Sequence, residues 1–578
     1  MVQRLESAGT LPTEQSPLLS ETERPKVGAL NPSPEQVLNS VKKVGQDEES
    51  VRSGEVETGT GISRAQVVRI ISVLLIGIFV AHTDGSILLA THSNIASEFN
   101  ALEDSTWLIT SFALAGAATQ TIYGKLSDIY GRRTLVLIAY GIFVVGCAIV
   151  GVGQTYSQVV LGRVISGAGA SGMAGLVSIL ITDLLPIREV AQWRAYVNLV
   201  ATFGRSIGGP LGGWLVDVIG WRWSFFGQVP IILVAIVLVG AYLPNVISKD
   251  SDSITSVERN AEEPQKSKLS RIDFKGSFIF AIMILAILAP IELGGNKYPW
   301  SHPIIIGTFF VGIVLIYVFI KVEQDQEEPI LPLEIFHKRD AVFSFLILGL
   351  QTAAQLGLMF SVPLYFRITQ GATNTASGAH LVPAVFGNAI GGILSGVIIK
   401  RSGRYKSLII FAVTSSSLSY LLLMLRWHGN TNVWESLYIF PSGFGTGIAQ
   451  SAVFISLQAV VDPAHMAPAV SFMYLSSTIA LTMGLSVSSA VEGVALRYML
   501  NHKLAGLGLG AEQVQKIISD AISDVEFVHR ITGPVKDAVV SSYVYGLWWT
   551  HGVSFFFSFS AFVLALFIKQ RRLDGLSS

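Results

Sequence analysis

The amino-acid sequence predicts an all-α membrane protein with fourteen transmembrane helices, and three observations lead to this prediction. First, the 578-residue chain is 51% hydrophobic but only 14% charged, whereas soluble proteins carry about 25% charged residues. Second, apolar segments of about 20 residues follow one another, each long enough to cross ~30 Å of hydrocarbon as a helix. Third, lysine and arginine are concentrated in alternate connections between these segments, as in other multi-spanning proteins.

A polar tail and a series of apolar segments divide the chain. Residues 1–65 are rich in Ser, Glu, Pro, Gly and Thr without apolar periodicity, which predicts a disordered cytosolic tail. Residues 246–272 are predicted to form a cytosolic linker, 273–322 two additional helices, and 571–578 a second cytosolic tail. The predicted spans are 67–91, 106–123, 134–153, 158–182, 193–216, 223–243, 274–292, 303–321, 342–364, 378–399, 407–426, 434–458, 467–490 and 546–568.

The distribution of positive charge predicts that both ends of the chain are cytosolic. The connections on that side contain eighteen Lys and Arg residues, and the short connections on the other side contain at most four. Cytosolic loops of membrane proteins carry such an excess. The segment 491–545 then forms a large non-cytosolic loop. Within it, AEQVQKIISDAISDVEFV has the apolar periodicity of an amphipathic surface helix.

Composition and motif content disfavour several other classes of protein. The formal net charge is zero, which does not favour nucleic acid as a partner. Cys147 is the single cysteine, so no intrachain disulfide is possible and no Cys/His metal cluster is visible. The sequence has no G-x(4)-G-K-[ST] phosphate-binding loop and no nucleophile–base spacing. We therefore expect neither an enzyme nor a bound cofactor or metal.

A short motif occurs twice, 272 residues apart. GKLSDIYGRR (124–133) and GVIIKRSGRYK (396–406) each contain a Gly followed seven residues later by Gly-Arg, just after a predicted helix. Lys400 in the second copy stands where the first copy has Asp128. This repeat predicts a duplicated helical half, and repeated halves with a site between them are the plan of many secondary transporters.

GKLSDIYGRR also resembles the loop between helices 2 and 3 of the major facilitator superfamily, G-x-L-[AS]-D-x-x-G-[RK]-[RK]. The resemblance implies the major facilitator fold, with six-helix bundles over 66–245 and 340–570 and two extra helices between them. In that family the motif acts as a gate, because its acidic residue forms a charge pair in only one conformation. The gating residues implied here are Gly124, Asp128, Gly131, Arg132 and Arg133.

LGRVISGAGASGM (161–173) places Arg163 inside the fourth predicted helix. It resembles the helix-4 motif of the same superfamily, which implies a part for Arg163 in proton coupling. An always-charged guanidinium inside a membrane needs a partner or a water-filled cavity. A purely structural pair between Arg163 and a carboxylate is the alternative.

GRSIGGPLGGWL (204–215) resembles the helix-5 antiporter motif G-x(3)-G-P-x(2)-G-G, with the spacing after the proline shorter by one residue. The resemblance implies export-type exchange. Close packing of helices through small residues, with a kink at the proline, is the alternative. Arg205 within the motif is a second intramembrane cation that needs a partner. The motif residues are Gly204, Gly208, Gly209, Pro210, Gly212 and Gly213.

Asp84 lies in the first predicted helix, and a charged residue near the middle of a bilayer costs about 2.5–3.5 kcal/mol on insertion scales. TDGSILLATHSNIASEFN (83–100) resembles the helix-1 motif of the fourteen-spanner drug:H⁺ antiporters. This implies an acid that faces the cavity and takes part in proton coupling, in binding a cationic substrate, or in both. A fixed pair with Arg163 or Arg205 is the alternative.

His82 titrates in a pH range that suits proton coupling, and a purely structural role is the alternative for this residue. The same two interpretations apply to His92. Asp183, at the cytosolic end of the fourth helix, is expected to be a gate or helix-end residue, and Glu292 and Glu492, at helix ends, are weaker candidates.

Within the superfamily, the sequence is most similar to the fungal vacuolar basic amino acid transporters, through SGAGASGM, DLLPIRE and GRSIGGPLGGWLVDVIGWRWSFF. That resemblance implies exchange of cytosolic Lys, Arg or His for lumenal protons across the vacuolar membrane. The tail contains TEQSPLLSE, in which Glu14, Leu18 and Leu19 have the acidic dileucine spacing that sorting adaptors read. The expected partners are the lipid bilayer, a small cationic substrate, protons and such an adaptor, and not nucleic acid.

Three other functions remain open on the sequence. They are a plasma-membrane multidrug or toxin H⁺ antiporter, a siderophore carrier and a non-transporting nutrient sensor. The dileucine spacing disfavours the first, and the helix-5 motif disfavours import by the second. The moderate length of the tail 1–65 disfavours the third, since a sensor would be expected to have a long signalling tail.

Overall fold

A computed structural model describes residues 63–101, 104–105, 107–244, 273–294, 298–326, 329–507, 509–523 and 527–573. The predicted sorting residues in the N-terminal tail and the linker 246–272 lie outside these ranges. Within the described residues a helix lies on each predicted span. These helices are α1 Arg64–Glu98, α2 Trp107–Tyr130, α3 Arg132–Val152, α4 Tyr156–Leu184, α5 Ile187–Ile219, α6 Trp221–Tyr242, α7 Phe274–Leu293, α8 Pro303–Gln324, α9 Arg339–Gln370, α10 Val382–Ser402, α11 Lys406–Arg426, α12 Phe440–Gln458, α13 Met466–Ala505 and α14 Pro534–Phe567.

Local signals at the helix ends explain several of these bounds. The Ser63 hydroxyl accepts a hydrogen bond from the Gln66 backbone N–H at 3.3 Å, and the Gln66 side chain accepts from the Ser63 N–H at 3.2 Å. This capping box begins α1. Gly131, before α3, has a φ of +88°, and Gly403, after α10, has a φ of +63°. Glycine adopts such values without a steric cost, and the two glycines hold the same place in the two copies of the repeated motif.

The largest departure from the predicted bounds is near the end of the chain. The predicted loop 491–545 was too long, because α13 continues to Ala505 and α14 already begins at Pro534. The two extensions are stable because they bury apolar residues against each other and against a short helix, Ala511–Ser523, in the connection between them. The buried residues of this cluster include Leu496, Leu500, Leu504, Ile518, Ala521 and Val539.

The helices form two six-helix bundles with the same internal packing. In the first bundle α1 packs on α5 and α6, α4 packs on α2 and α3, and α3 packs on α6. In the second, α9 packs on α13 and α14, α12 packs on α10 and α11, and α11 packs on α14. Each contact has its counterpart eight helices further along, so the duplication predicted from the motif is present in the packing. Helices α7 and α8 pack on each other, and α7 also contacts α2 and α13.

Eleven of the helices in the described ranges are long and apolar enough to cross a membrane by length and composition. Helices α2, α5 and α12 are not among them. Their small and polar residues pack against neighbouring helices instead: Gly443 and Gly447 bring α12 against α10, and Gly445 brings it against α11. The protein is therefore a multi-pass membrane protein, and the count of fourteen spans stays a prediction.

One face of the molecule carries both ends of the helical region. At the start of α1, Arg64 lies 3.8 Å from Glu189 at the start of α5. Beyond α14, the Gln570 side chain accepts from the Tyr405 backbone N–H at 3.2 Å, just before α11. We call this side the terminal face. The other side, where α1 ends at Glu98, is called the opposite face.

Candidate functional site

Asp84 and Arg163 form an ion pair inside the first bundle. Arg163 Nη1 donates to Asp84 Oδ2 at 2.8 Å, and the side chains are 1% and 0% exposed, respectively. On the other carboxylate oxygen, Gln228 Nε2 of α6 donates to Asp84 Oδ1 at 3.1 Å. Both oxygens of the carboxylate are therefore held by protein groups from α4 and α6.

The guanidinium of Arg163 is held by groups from several helices. It lies over the Phe112 ring of α2 at 4.3 Å and near the Phe225 ring of α6 at 5.6 Å. Its Nε donates to the Leu108 carbonyl at 3.4 Å. The buried pair thus joins α1, α2, α4 and α6.

The expectation that Asp84 faces a cavity was wrong in this structure, because the carboxyl points toward α4 and α6 and is fully buried. The roles of Asp84 and Arg163 in coupling stay predictions.

Arg205 has a different environment. Opposite it on α5, exposed large apolar side chains form the outward side of the helix: Phe203, Ile207, Trp214 and Val218. At 3.6 residues per turn, Arg205 points away from this side, into the space between the bundles. Its side chain is exposed and has no hydrogen bond or ion pair with any side chain that the structure describes. His82 of α1 lies next to it, since a Cβ on Gly204 would be 3.4 Å from His82 Cβ.

The helix-5 motif packs α5 closely on α1. A Cβ at Gly204, Gly208 or Gly212 would lie 2.6–3.0 Å from the α1 backbone. By contrast, the nearest atom to a Cβ at Gly209 is at 3.8 Å, and a Cβ at Gly213 would have nothing within 4 Å. The proline of the motif lies inside α5. Helix packing therefore accounts for three of the five glycines.

Both copies of the repeated motif close the terminal face through the same kind of contact. Gly124 of α2 meets α13 of the second bundle, where a Cβ would lie 2.5 Å from Ser471 Oγ and 3.0 Å from the Ala467 carbonyl oxygen. Gly396 of α10 meets α5 of the first bundle, where a Cβ would lie 2.7 Å from Gln192 Cα. Larger side chains at either glycine would keep the two bundles apart.

The charged residues beside these glycines differ between the two copies. In the first copy, Arg132 donates to Asp183 Oδ2 at 2.8 Å and to Asp128 Oδ1 at 2.5 Å, within one bundle. In the second copy, Lys400 Nζ lies 2.7 Å from Glu189 Oε1 and so links the second bundle to the first. The second copy therefore contributes an ion pair between the bundles.

Two further contacts between the bundles were missed by sequence reasoning. Asn198 Nδ2 of α5 donates to Asn388 Oδ1 of α10 at 2.6 Å. Arg194 Nη1 donates to the Tyr474 hydroxyl of α13 at 2.5 Å, and its guanidinium lies 4.4 Å above the Phe454 ring of α12. The sequence gives Arg194 only as one of several basic residues near a connection, and no motif marks it.

The other predicted residues lie away from this contact. Arg133 donates to the Gly240 carbonyl at the end of α6, within its own bundle. Glu492 was predicted at a helix end but is buried within α13. Within the described residues, no group of three or more His, Cys, Asp or Glu side chains could hold a metal ion.

The positions of these contacts define the conformation. Gly124, Gly396, Lys400 and Arg194 hold the bundles together in the half of the molecule nearer the terminal face. Further along α5, toward the opposite face, the Arg205 side chain is exposed. The described bundles are therefore in contact nearer the terminal face, and Arg205 lies beyond these contacts along α5.

Comparisons with known proteins agree with this architecture. The family model described as Major Facilitator Superfamily matches residues 74–485. The chain is 27% identical over 549 residues to the vacuolar membrane amino acid uptake transporter fnx2 of Schizosaccharomyces pombe, covering 95% of this chain and 91% of the relative. It is 26% identical over 505 residues to the multidrug resistance protein fnx1 of the same species, covering 87% and 92%. It is also 26% identical over 443 residues to the vacuolar basic amino acid transporter 2 of Saccharomyces cerevisiae, covering 76% and 92%.

Two solved structures share the fold. The human organic anion transporter MFSD10 has a TM-score of 0.52 at 12% identity and covers 85% of this chain and 99% of its own. The proton:xylose symporter XylE has a TM-score of 0.53 at 14% identity and covers 89% and 99%. At these identities the likeness concerns the fold alone.

Proposed function

The chain belongs to the major facilitator superfamily, and we propose that it is an antiporter that moves basic amino acids into the vacuole in exchange for protons. Two of the relatives named above are vacuolar transporters of amino acids, which supports both the substrate class and the location. The terminal face would be the cytosolic one, since it carries the basic connections. The described conformation would then be closed to the cytosol and open to the vacuolar lumen.

Arg205 is the observation that carries this proposal. A guanidinium that faces the space between the bundles, with no partner among the described side chains, is suited to binding an anionic group. Every amino acid has an α-carboxylate, which can accept two parallel hydrogen bonds from a guanidinium. A lipophilic cation without a carboxylate would be repelled by the same charge. Arg205 therefore favours a zwitterionic or cationic amino acid over a purely cationic drug.

The contacts between the bundles fit an alternating-access cycle. Each contact at the terminal face is a short-range pair or a glycine packed on a backbone, so rocking of the bundles separates the groups without unfolding a helix. Opening this face and closing the opposite one would present Arg205 to the cytosol. Rigid-body motion of repeated halves around a fixed site is the usual mechanism of such transporters.

Uptake into sealed vacuolar vesicles tests the proposal. Vesicles energised by the proton pump, with and without this protein, are given labelled arginine, lysine or histidine. We expect protein-dependent uptake that collapses with an uncoupler. Absence of protein-dependent uptake, with the protein shown to be in the vesicles, would contradict the amino acid function.

Competition with agmatine, which is arginine without its carboxylate, tests the role of Arg205. We expect unlabelled arginine to compete and agmatine to compete at least about tenfold less, since a charge-assisted hydrogen bond contributes about 1.5–3 kcal/mol. Arg205→Gln should remove this preference, whereas Arg222→Gln at the opposite face, where Arg222 pairs with Glu98, should retain it. Equal competition by the two compounds would exclude Arg205 as the carboxylate site.

A multidrug H⁺ antiporter is the second candidate function. A cavity of about 540 Å³ in the second bundle is lined by apolar and aromatic side chains of α9, α11, α13 and α14, among them Met483, Trp548 and Phe556. Such a surface suits a lipophilic compound, and one relative is a multidrug resistance protein. Protein-dependent resistance to lipophilic cations, without amino acid uptake, would favour this function.

A further inference from the structure

Glu492 is a buried acid of the second bundle that the helix motifs do not mark. It lies within α13, away from both helix ends, and is 7% exposed. Its Oε2 accepts a hydrogen bond from the Thr550 hydroxyl of α14 at 3.4 Å. Gly546, one turn before Thr550, lets the side chain approach α14, since a Cβ there would be 3.4 Å from Glu492 Cγ. A neutral hydroxyl, and no cation, is therefore the observed partner of this carboxyl group.

The charged and titratable groups on the packed helices leave Glu492 without a counterion among the described residues. On α14, the Tyr543 hydroxyl donates to the Ala521 carbonyl, and the His551 ring lies against Trp427 with 5.9 Å between the ring centroids. On α9, the Tyr365 hydroxyl accepts from the Gly429 backbone N–H at 2.8 Å, and Arg367 in the last turn is engaged in an interaction of its own. On α13 itself, Arg497 is exposed and Lys503 Nζ bonds the Ser541 hydroxyl at 2.6 Å.

Asp84 is the buried acid of the first bundle and has the opposite environment. Its carboxylate is 2.8 Å from Arg163. Adding a proton to Asp84 would leave the guanidinium as an uncompensated buried charge, which costs several kcal/mol. Adding a proton to Glu492 removes a charge for which the described residues provide no counterion. Two buried acids in such different environments are suited to different tasks.

We propose that Glu492, and not Asp84, carries the proton that is exchanged for substrate; this inference rests on the proton coupling proposed above. On the side with the higher proton concentration, the Glu492 carboxylate takes a proton from hydronium and leaves water. After the bundles rock, the carboxylic acid returns the proton to water on the other side. The charge of Asp84 and Arg163 stays fixed during this cycle.

A short polar track leads from Glu492 along the same helices. One turn closer to the terminal face on α13 and α14 lie Ser488 and Ser554, both fully buried, whose hydroxyls have no hydrogen-bond partner in the described part of the chain. Both point at Gly357 of α9, where a Cβ would lie 3.0 Å and 2.6 Å from these oxygens. Hydroxyl groups that can both donate and accept are the groups through which a proton can be passed.

The purified full-length protein in proteoliposomes separates proton transfer from substrate binding. Two rates are measured with labelled arginine: uptake driven by a pH gradient, and exchange against internal unlabelled arginine without a gradient. For Glu492→Gln, which keeps the shape and the contact with Thr550, we expect gradient-driven uptake to fall at least about tenfold while exchange stays within about twofold of the original protein. Glu492→Asp, which keeps the acid, should retain gradient-driven uptake with a shifted pH profile.

The outcomes distinguish this inference from the proposed function. Arginine exchange and gradient-driven uptake by the original protein establish the function. If Glu492→Gln then keeps gradient-driven uptake, Glu492 is not the proton carrier. If it loses both rates while Glu492→Asp restores both without a shift of the pH profile, the residue is structural and the inference is overturned. If the original protein shows no gradient-driven uptake, both the function and the inference fail.

Discussion

The two bundles share their packing but not their buried polar centres. In the first, Asp84, Arg163 and Gln228 form a charged centre. In the second, Gln351 is fully buried in a neutral one, donating to Ser416 Oγ at 2.5 Å and accepting from Ser558 Oγ at 3.3 Å. The first centre joins α1, α4 and α6, and the second joins α9 and α14, the counterparts of α1 and α6, to α11. The duplicated architecture therefore does not require charge at both centres, and of these two centres only the first contains an ion pair.

This difference has consequences for how each half responds to a mutation. A neutral hydrogen bond contributes about 0.5–1.5 kcal/mol, whereas breaking a buried ion pair costs about 3–5 kcal/mol because one charge is left behind. The first bundle should therefore be sensitive at a few residues, and the second should tolerate polar substitutions at its centre.

The largest effect is expected for Arg163→Gln. Removing the guanidinium leaves the Asp84 carboxylate buried with Gln228 as its remaining partner, so we expect a loss of about 3–5 kcal/mol in the free energy of unfolding. Thermal unfolding of the protein in detergent, followed by tryptophan fluorescence, measures the loss. Asp84→Asn combined with Arg163→Gln should recover at least half of it. Gln351→Leu is the matched change in the second bundle and should cost no more than about 1.5 kcal/mol. Equal costs in the two bundles would contradict the distinction between the centres.

The next effect is expected at the two glycines that close the terminal face. Gly124→Val and Gly396→Val place a side chain against the backbone of the other bundle, and such overpacking costs about 1–3 kcal/mol. The closed state should then fall in population by roughly 5- to 150-fold. Ala195 of α5 is buried against Gly392 of α10, so the rate at which maleimide labels an Ala195→Cys variant measures the opening of the terminal face. The same chain carries Cys147→Ala, which removes the native cysteine.

The control for this experiment is Gly141→Val on α3, where a Cβ would meet nothing within 4 Å. We expect its labelling rate to match that of the original chain. If Gly124→Val raises labelling and Gly396→Val does not, then only the first copy of the motif acts as a gate, and the symmetry of the two contacts has no functional meaning.

A smaller effect is expected for the ion pair between Lys400 and Glu189. The side chains are 34% and 21% exposed, so solvent screens the pair and we expect a contribution of only about 0.5–1 kcal/mol to the closed state. Single neutral variants, Glu189→Gln and Lys400→Met, should each raise the labelling rate of the same cysteine by about two- to fivefold at low salt. The exchanged pair, Glu189→Lys with Lys400→Glu, should restore it. No recovery in the exchanged pair would show that Glu189 acts through another group, such as Arg64 at 3.8 Å.

Periodicity and motifs predicted the helices and the duplication because both depend on local sequence. The resemblance of the first copy implied a gate, which stays a prediction, and the structure places Gly124 and Gly396 at equivalent contacts between the bundles. The sequence left open whether Asp84 faces a cavity or pairs with an arginine, because the direction of a side chain around α1 depends on which helices pack there. Glu492 was only a weaker candidate on the sequence and Arg194 was not marked there, since their partners Thr550 and Tyr474 are distant in the chain. The glycine motifs therefore indicated where helix backbones pack against each other. Which polar side chains form pairs depends on tertiary packing, which the local sequence does not contain.

The smallest effect concerns the rim of the first bundle at the opposite face. Glu98 lies beyond the apolar part of α1, Arg64–Leu89. It accepts from Trp221 Nε1 at 2.6 Å and from Arg222 Nη1 at 2.8 Å. The hydrogen bond from Trp221 lowers the pKa of Glu98 most, burial opposes this, and the hydrogen bond and charge of Arg222 lower the pKa further. A lowered pKa means that this contribution to stability is complete above the usual pKa of about 4.3 and is lost as the pH falls through the lower value.

The rim contacts should therefore survive the acidity of the vacuolar lumen, which the opposite face would meet under the function proposed above. We expect the difference in unfolding temperature between the original protein and Glu98→Gln to stay constant from about pH 7 to pH 5 and to disappear only below about pH 4. The difference itself should correspond to less than about 1 kcal/mol, because the pair is exposed. Thermal unfolding at a series of pH values measures it. A loss between pH 7 and pH 5 would mean that the Trp221 and Arg222 contacts do not hold the carboxylate ionised. The first bundle would then have an acid-sensitive rim around its charged centre.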